Sequence, residues 1–372
     1  MACSPYPVYN TNASTVTASG CQLPVTELPG VVCSGNRDGR HKREMIIAVP
    51  VTHSREGLRP VELTRDLPQV IELLRLVFGE SLDGDSQQLI GDGPPGFLDS
   101  LSYRMNPAAS RLSNGFVWQA DGRIVGNATM LSTRAWDRYL VANVAVHPSF
   151  RRQGIARRLM EAITSSVKAR GGRVILLQVV KDNSSAVDLY KSLGYTSIGN
   201  MTTWYSSSTK VRPIHIDPTE QSSSNIVLLN NRRWREAYQL DTAHVHPDLN
   251  WPEPLQYDAY RRSLWQRATD FMNGSQFEAW VTTDNSNNLT GMASIRSEWG
   301  RSHIITLRVR PSEAGQLEKL LLGKAIRRLS YLPQRNVRID HPEADELTGM
   351  LLKESNFSIQ RTLTHMRLEI PR

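Results

Sequence analysis

The sequence predicts a mixed α/β protein built from two copies of one unit. Three observations carry this. Val141 to Val146 and Arg173 to Val180 are β-branched, apolar runs, and a helical pattern follows each, as when buried strands alternate with helices. Asp121-Gly122 stands between two strand-like stretches and marks a hairpin turn. After residue 210 the same order of elements returns. A chain of 372 residues is also long for one core, so two domains are the default.

The elements follow in order. Residues 1–44 are rich in Ser, Thr, Asn, Gly and Pro without sustained periodicity and read as a disordered tail. They lack a charged start and an apolar core segment, which argues against a secretory signal. Met45 opens a more structured run and is a candidate alternative start. Leu58 to Leu63 reads as a strand. A helix follows, capped by Thr64 or Asp66, with Pro68 in its first turn and Val70, Leu73, Leu74, Leu76 and Val77 as its apolar stripe. Ser81 to Ser110 is polar and resists assignment. Gly115 to Ala120 and Arg123 to Arg134 form the hairpin, and Met201 to Tyr205 a late strand. Ser206 to Lys210 breaks the composition as a linker would. Helices are then expected at Asn231 to Thr242, Tyr257 to Asn273, Gly315 to Leu329 and Asp345 to Glu354. Strands are expected at Phe277 to Thr283, Leu289 to Ser297, His303 to Arg310, Asn336 to Asp340 and Ile359 to Leu368.

One segment speaks to chemistry. The strand ending at Val146 stops at His147-Pro148, because proline cannot donate to a ladder. Arg151-Arg152-Gln153-Gly154-Ile155-Ala156 then opens a helix. A helix N-terminus has unpartnered N–H groups and a favourable dipole for anions. Gly154 lets a phosphate approach the backbone, and Ala156 keeps that approach small. This segment resembles motif A of the GNAT superfamily of acyl-CoA-dependent N-acyltransferases, whose pattern Arg/Gln-x-x-Gly-x-Gly/Ala is filled by Arg151, Gly154 and Ala156. Asn183 to Tyr195 resembles the family's motif B. Asn183 and Tyr190 lie two helical turns apart and share a face. The resemblance covers Arg59 to Ser206.

The resemblance implies a GNAT-type fold in two tandem copies, with a catalytic domain at 56–206, a linker at 207–222 and a second, degenerate domain at 223–372. It implies acetyl-CoA as co-substrate and no metal. The pyrophosphate would lie on the backbone of Arg151, Arg152, Gln153, Gly154, Ile155, Ala156 and Arg157. The pantetheine arm would run along Val144, Ala145 and Val146, with Asn183 as a further contact, and the Val146 N–H would polarise the thioester carbonyl. Tyr190 would serve the departing sulfur as general acid. Each residue also has a plainer reading. Val141 to Val146 can be core strand, Tyr190 a packing aromatic, Asn183 a helix N-cap, and Arg157-Arg158 a solvated face. His147 lacks an evident partner for a role as base. Leu140 stands where some family members carry a glutamate base, and Asn143 is the one polar side chain inside that strand. The base stays open.

The second copy departs from the pattern. With Pro311 set against Pro148, Ser312 to Leu317 faces Ser149 to Gly154. The paired arginines are absent, and Glu313 would repel a pyrophosphate. Leu352 stands opposite Tyr190 and Asp345 opposite Asn183.

Composition limits the alternatives. No apolar run approaches the length of a membrane span. The net charge of +8 is dispersed, without the basic–aromatic interleaving that tracks nucleic acid. Cys3, Cys21 and Cys33 are the only cysteines, so neither disulfides in the body of the chain nor zinc spacing is expected. The resulting expectation is a cytoplasmic N-acetyltransferase in which an amine attacks acetyl-CoA directly in a ternary complex. The acceptor is a small molecule or a protein, and a homodimer is compatible. The rival reading is a non-catalytic acyl-CoA sensor or protein-interaction module; RNA binding ranks last.

Overall fold

The first helix begins earlier than its sequence suggests. In the computed structural model, which describes residues 56–79, 115–217, 225–251, 255–263 and 274–371 with 265, 270 and 272, strand β1 spans Gly57–Pro60 and helix α1 spans Leu63–Phe78. The cause is Asp66. Its buried carboxylate pairs with both terminal nitrogens of Arg59 at 2.6 and 2.8 Å and accepts the Glu62 N–H at 2.7 Å. Burial alone would raise its pKa, but the bonds from Arg59 and Glu62 outweigh that and hold it below the usual range. The helix is thus closed from inside its first turn rather than by a side chain at Thr64, and Pro68 lies in its interior. The tail, the run at Met45 and Ser81 to Ser110 lie outside the described residues.

The first half continues with β2 (Gly115–Ala120), β3 (Arg123–Ser132), β4 (Arg138–Val146), α2 (Ile155–Ala169), β5 (Val174–Val180), α3 (Ser184–Ser192) and β6 (Thr196–Ser207). Asp121 and Gly122 both have left-handed φ, 50° and 73°, as a tight hairpin of this hand requires. The second half has β7 (Val227–Leu228), α4 (Trp234–His244), β8 (Gln276–Thr283), β9 (Leu289–Ser297), β10 (His303–Val309), α5 (Glu318–Leu329), β11 (Asn336–Pro342), α6 (Glu346–Glu354) and β12 (Ser358–Glu369). The helix expected over Tyr257 to Asn273 does not begin there: 257–260 form a turn and 261–263 are irregular.

Among the described residues the twelve strands form one sheet, in the order β1-β2-β3-β4-β5-β12-β6-β11-β10-β9-β8-β7. Adding six to each of the first six strand numbers reproduces the other side, with β6 and β12 exchanged. The last strand of each half pairs with the penultimate strand of the other: β12 lies against β5, and β6 against β11. The sequence boundary near residue 206 therefore does not divide the sheet. The first core, under α2 and α3, includes Met366 and Ile370 from the C-terminal end; the second, under α5 and α6, includes Trp204 from β6. On the opposite face α1 and α4 cover their own halves. Residues expected as linker pack as well: Val211 and Ile214 lie against the second core. Asp248, buried in a single 3-10 turn at Pro247–Leu249, pairs with Arg138 of β4 and with Arg367 of β12 at 2.8 Å.

A pair of glycines marks the repeat. A β-carbon on Gly126 of β3 would stand 2.8 Å from the Ile155 side chain; one on Gly291 of β9 would stand 2.6 Å from that of Leu321. Each glycine lets a helix settle closely on its strand.

Candidate active site

Strands β4 and β5 pair in parallel from Arg138–Val174 to Val141–Leu177, and the pairing ends there. Asn143 follows the parting. Its φ is +54°, a conformation asparagine tolerates better than most residues. The strand carries one extra residue at this point, since Ala142 pairs with Thr129 but Ala145 with Asn127. Buried Asn127 secures the bulge by donating from Nδ2 to the Asn143 carbonyl at 2.8 Å. The one polar residue between Val141 and Val146 thus has a backbone role.

Past the bulge, the His147 N–H bonds to the Val125 carbonyl at 2.8 Å, on the β3 side. Strand alternation then turns the backbone of Val144 and Val146 toward the gap left by β5. Their side chains pack with Ile155 and Tyr190 in the first core. Ala145 faces the other way, into the cluster under α1.

The gap leads to the basic loop. His147 closes the 3-10 turn Pro148–Phe150, its Nδ1 accepting the Ser149 N–H at 3.3 Å, and its ring meets Phe150 edge-on. That is a structural use of His147. Arg152 and Gly154 both have left-handed φ, 64° and 76°, so successive N–H groups of the loop curve around one concavity. No side chain caps α2, its first turn holds no acidic residue, and the space over Gly154 is open. A helix N-terminus left in this state is suited to a phosphate. Arg151, Arg152 and Gln153 are exposed around it, with the Arg151 Nε on the Val146 carbonyl at 3.3 Å. Ile155 is buried and anchors the helix start, and Ala156 follows half-buried. Arg157 bonds to the Ser192 hydroxyl at 2.8 Å, and Arg158 lies over the Trp118 ring.

Asn183 is the N-cap of α3, its Oδ1 accepting the Ala186 N–H at 3.2 Å, and its side chain is exposed. Tyr190 is buried, edge-on to Tyr195 at 5.9 Å, and burial pushes its phenol up to about 12. It stays protonated at neutral pH.

The second half presents the same frame with its openings filled. Strand registers make Gly291 equivalent to Gly126, and Ile339 to Leu177. Between the matched pairs, Leu307 alone stands where the first half has Asn143 and Val144, so β10 has no bulge. Strands β10 and β11 still part after Ile305–Ile339. Nδ1 of His244 donates to the carbonyl of Val309, the counterpart of Val146, at 2.6 Å, and lies 3.3 Å from its N–H. Burial holds His244 below its ordinary pKa and therefore neutral. His341 lies beside it, ring centroids 5.7 Å apart, and bonds to Asp345 at 2.7 Å. At the start of α5, buried Glu318 turns its carboxylate onto the Gly315 N–H at 3.0 and 2.9 Å. The repelling carboxylate expected at Glu313 is thus supplied from Glu318, the first residue of α5 as Ile155 is of α2. Sequence reasoning missed Glu318 and His244. A glutamate three residues after a glycine, at a helix start, was the available signal for the first.

Residues 87–195 match the model of the Acetyltransferase (GNAT) family. The first half of the chain thus carries a GNAT-family domain. The sheet and helices of the described residues are a mixed α/β fold in two tandem copies. The [ribosomal protein bS18]-alanine N-acetyltransferase of Escherichia coli is 37% identical over 59 residues, 16% of this chain and 40% of that protein. The Haemophilus ducreyi protein of the same name is 37% identical over 62 residues, 17% of this chain and 43% of its own length. The chain thus spans less than half of the curated relatives it matches. A GCN5-related N-acetyltransferase from Sphaerobacter thermophilus shares the fold over 85% of this chain and 96% of its own, with a TM-score of 0.55 and 16% identity. The GNAT match ends at Tyr195, before β6, so it lies within the half whose loop and strand gap are open. Among the described residues no helix is long and apolar enough to cross a membrane, and no group of three or more His, Cys, Asp or Glu is placed to hold a metal.

Proposed function

We propose that the first half binds acetyl-CoA and transfers its acetyl group to a primary amine by direct attack in a ternary complex. The observation that carries this reading is the bulge at Asn143, just past the parting of β4 from β5, on the strand that leads into an uncapped helix N-terminus. The pyrophosphate rests on the N–H groups from Arg151 to Arg157. The pantetheine arm extends along Val144 and Val146 as an added strand, near Asn183. The Val146 N–H takes the developing charge on the carbonyl oxygen. Tyr190 donates its hydroxyl hydrogen to the sulfur as it leaves. With its phenol held near 12, against about 8.5 for an ordinary thiol, it stabilises the thiolate as a hydrogen-bond donor more than by surrendering its proton. The E. coli relative is named for acetylating an alanine of a ribosomal protein, which supports an amine acceptor.

A calorimetric titration of the full chain with acetyl-CoA tests the reading. One site per chain is expected. Two sites would show the second half to be a live coenzyme site. No binding would leave a fold kept for interaction rather than transfer.

A further inference from the structure

A cavity of about 200 Å³ lies at the centre of the sheet, on the face covered by α1 and α4, and both halves line it. It sits on the local two-fold relation between the halves. Gln178 and His365 on one side correspond to Asp340 and Thr203 on the other, and Leu363 to Met201. The two sides differ in charge. Toward the first half, Gln178 bonds to His365 at 3.0 Å, and burial holds His365 down to about 4, so that side is neutral. Toward the second half stand Arg308, Arg338 and Arg361 and, among the described residues, the carboxylate of Asp340. Arg338 bonds to Asp340 at 3.0 Å, and Arg308 to Asp241 at 2.7 Å behind the wall. The wall is closed by Asn250 and Trp251, held down by the Asp248 pair with Arg138 and Arg367. The Asn250 Nδ2 is buried with no hydrogen-bond partner among the described residues.

The neutral side begins on the strand that borders the gap, because Gln178 follows Leu177, the last β5 residue paired with β4. An attacking amine must be uncharged, and a neutral, desolvated wall favours that form. The far side offers guanidinium groups, which recognise planar anions through paired N–H donors, and a donor in Asn250.

Resting on the proposed transfer, we infer that this cavity is the acceptor site and that it takes a small primary amine carrying a carboxylate. The amine end faces Gln178 and the carboxylate faces Arg361 and Asn250. The volume is smaller than that of pockets for drug-sized ligands, about 300–1,000 Å³, and suits a group of amino-acid size. The second half, closed to coenzyme, supplies the anion-reading wall.

Coenzyme A release by the full chain with saturating acetyl-CoA tests this, comparing L-alanine with ethylamine, L-lysine with cadaverine, and both with an alanine-initiated peptide. At least one amino acid should exceed its decarboxylated partner by about tenfold or more in kcat/KM. Arg361→Gln should raise KM for that amino acid about tenfold and leave the calorimetric Kd for acetyl-CoA unchanged. Asn250→Ala should act in the same direction and stands in if Arg361→Gln lowers the melting temperature. Equal use of both members of a pair, preference for the peptide, or release with none of them while acetyl-CoA still binds would overturn the acceptor assignment alone. Failure to bind acetyl-CoA would overturn the transfer reading and this inference with it.

Discussion

The two halves share strand order, helix order and even the glycine beneath the helix, yet only the first keeps an open slot. The difference comes down to a few side chains. One extra residue at Asn143 makes a bulge in β4; Leu307 alone fills that position in β10. Gly154 leaves a helix start bare, whereas Glu318 brings a carboxylate to its counterpart. Val146 turns its N–H to the gap with its carbonyl on the exposed Arg151, whereas the Val309 carbonyl is taken by His244 at 2.6 Å. The scaffold thus permits an open backbone slot without specifying one. A site needs backbone groups left unsatisfied by the chain, and the second half satisfies them internally.

The comparison can be broken most severely at the exchanged strands. Ending the chain after Phe357 removes β12, exposes the edges of β5 and β6, and takes Met366 and Ile370 from the first core. Cooperative urea unfolding should be lost in both halves, not only in the second. A first half that still unfolds cooperatively would show the exchange to be dispensable.

Acid should act through the neutral wall. Folding lowers the pKa of His365 from 6.5 to about 4, so its contribution is complete above 6.5 and is lost as pH falls toward 4. The span is about 3 kcal/mol at roughly 1.4 per unit. His365→Gln should flatten that limb of the stability profile, while Thr203→Ser, its counterpart, should leave it in place.

Gly154→Glu would give the first half the feature that closes the second. A carboxylate at the helix start and a side chain at φ +76° should weaken acetyl-CoA binding at least about a hundredfold, or ~2.7 kcal/mol. Unchanged calorimetric affinity would remove the loop from the coenzyme site. The reverse substitution should not open the second half. Glu318→Ala should cost about 2 kcal/mol in urea unfolding, because it strands the Gly315 N–H, and should create no second acetyl-CoA site while His244 holds Val309. The smallest effect is expected at Tyr190→Phe: about tenfold lower kcat, ~1.4 kcal/mol, with acetyl-CoA affinity intact. Equal turnover would return Tyr190 to the Leu352 role of plain packing.

Much of the first half was legible because its signals are local. The Asp-Gly hairpin, the apolar strand before His147-Pro148 and the glycine at the head of α2 each act within a few residues. The pairing of Asn183 with Asp345, read from the repeat, is also local: both are N-caps, Asp345 accepting the Thr348 N–H at 3.0 Å. Glu318 was passed over for Glu313 because which of two nearby carboxylates folds back depends on burial. His244 lies 65 residues from the backbone it occupies.

The sequence by itself determined the kinds of elements, their order, the anion-ready helix start and the repeat, since these follow from periodicity, proline and glycine. Tertiary structure alone decided that β6 and β12 change places, that His244 and Glu318 close the second slot, and that a cavity forms between the halves. Strand partners and buried bonds are chosen by shape and desolvation across the whole sheet, and no window of neighbouring residues contains that choice.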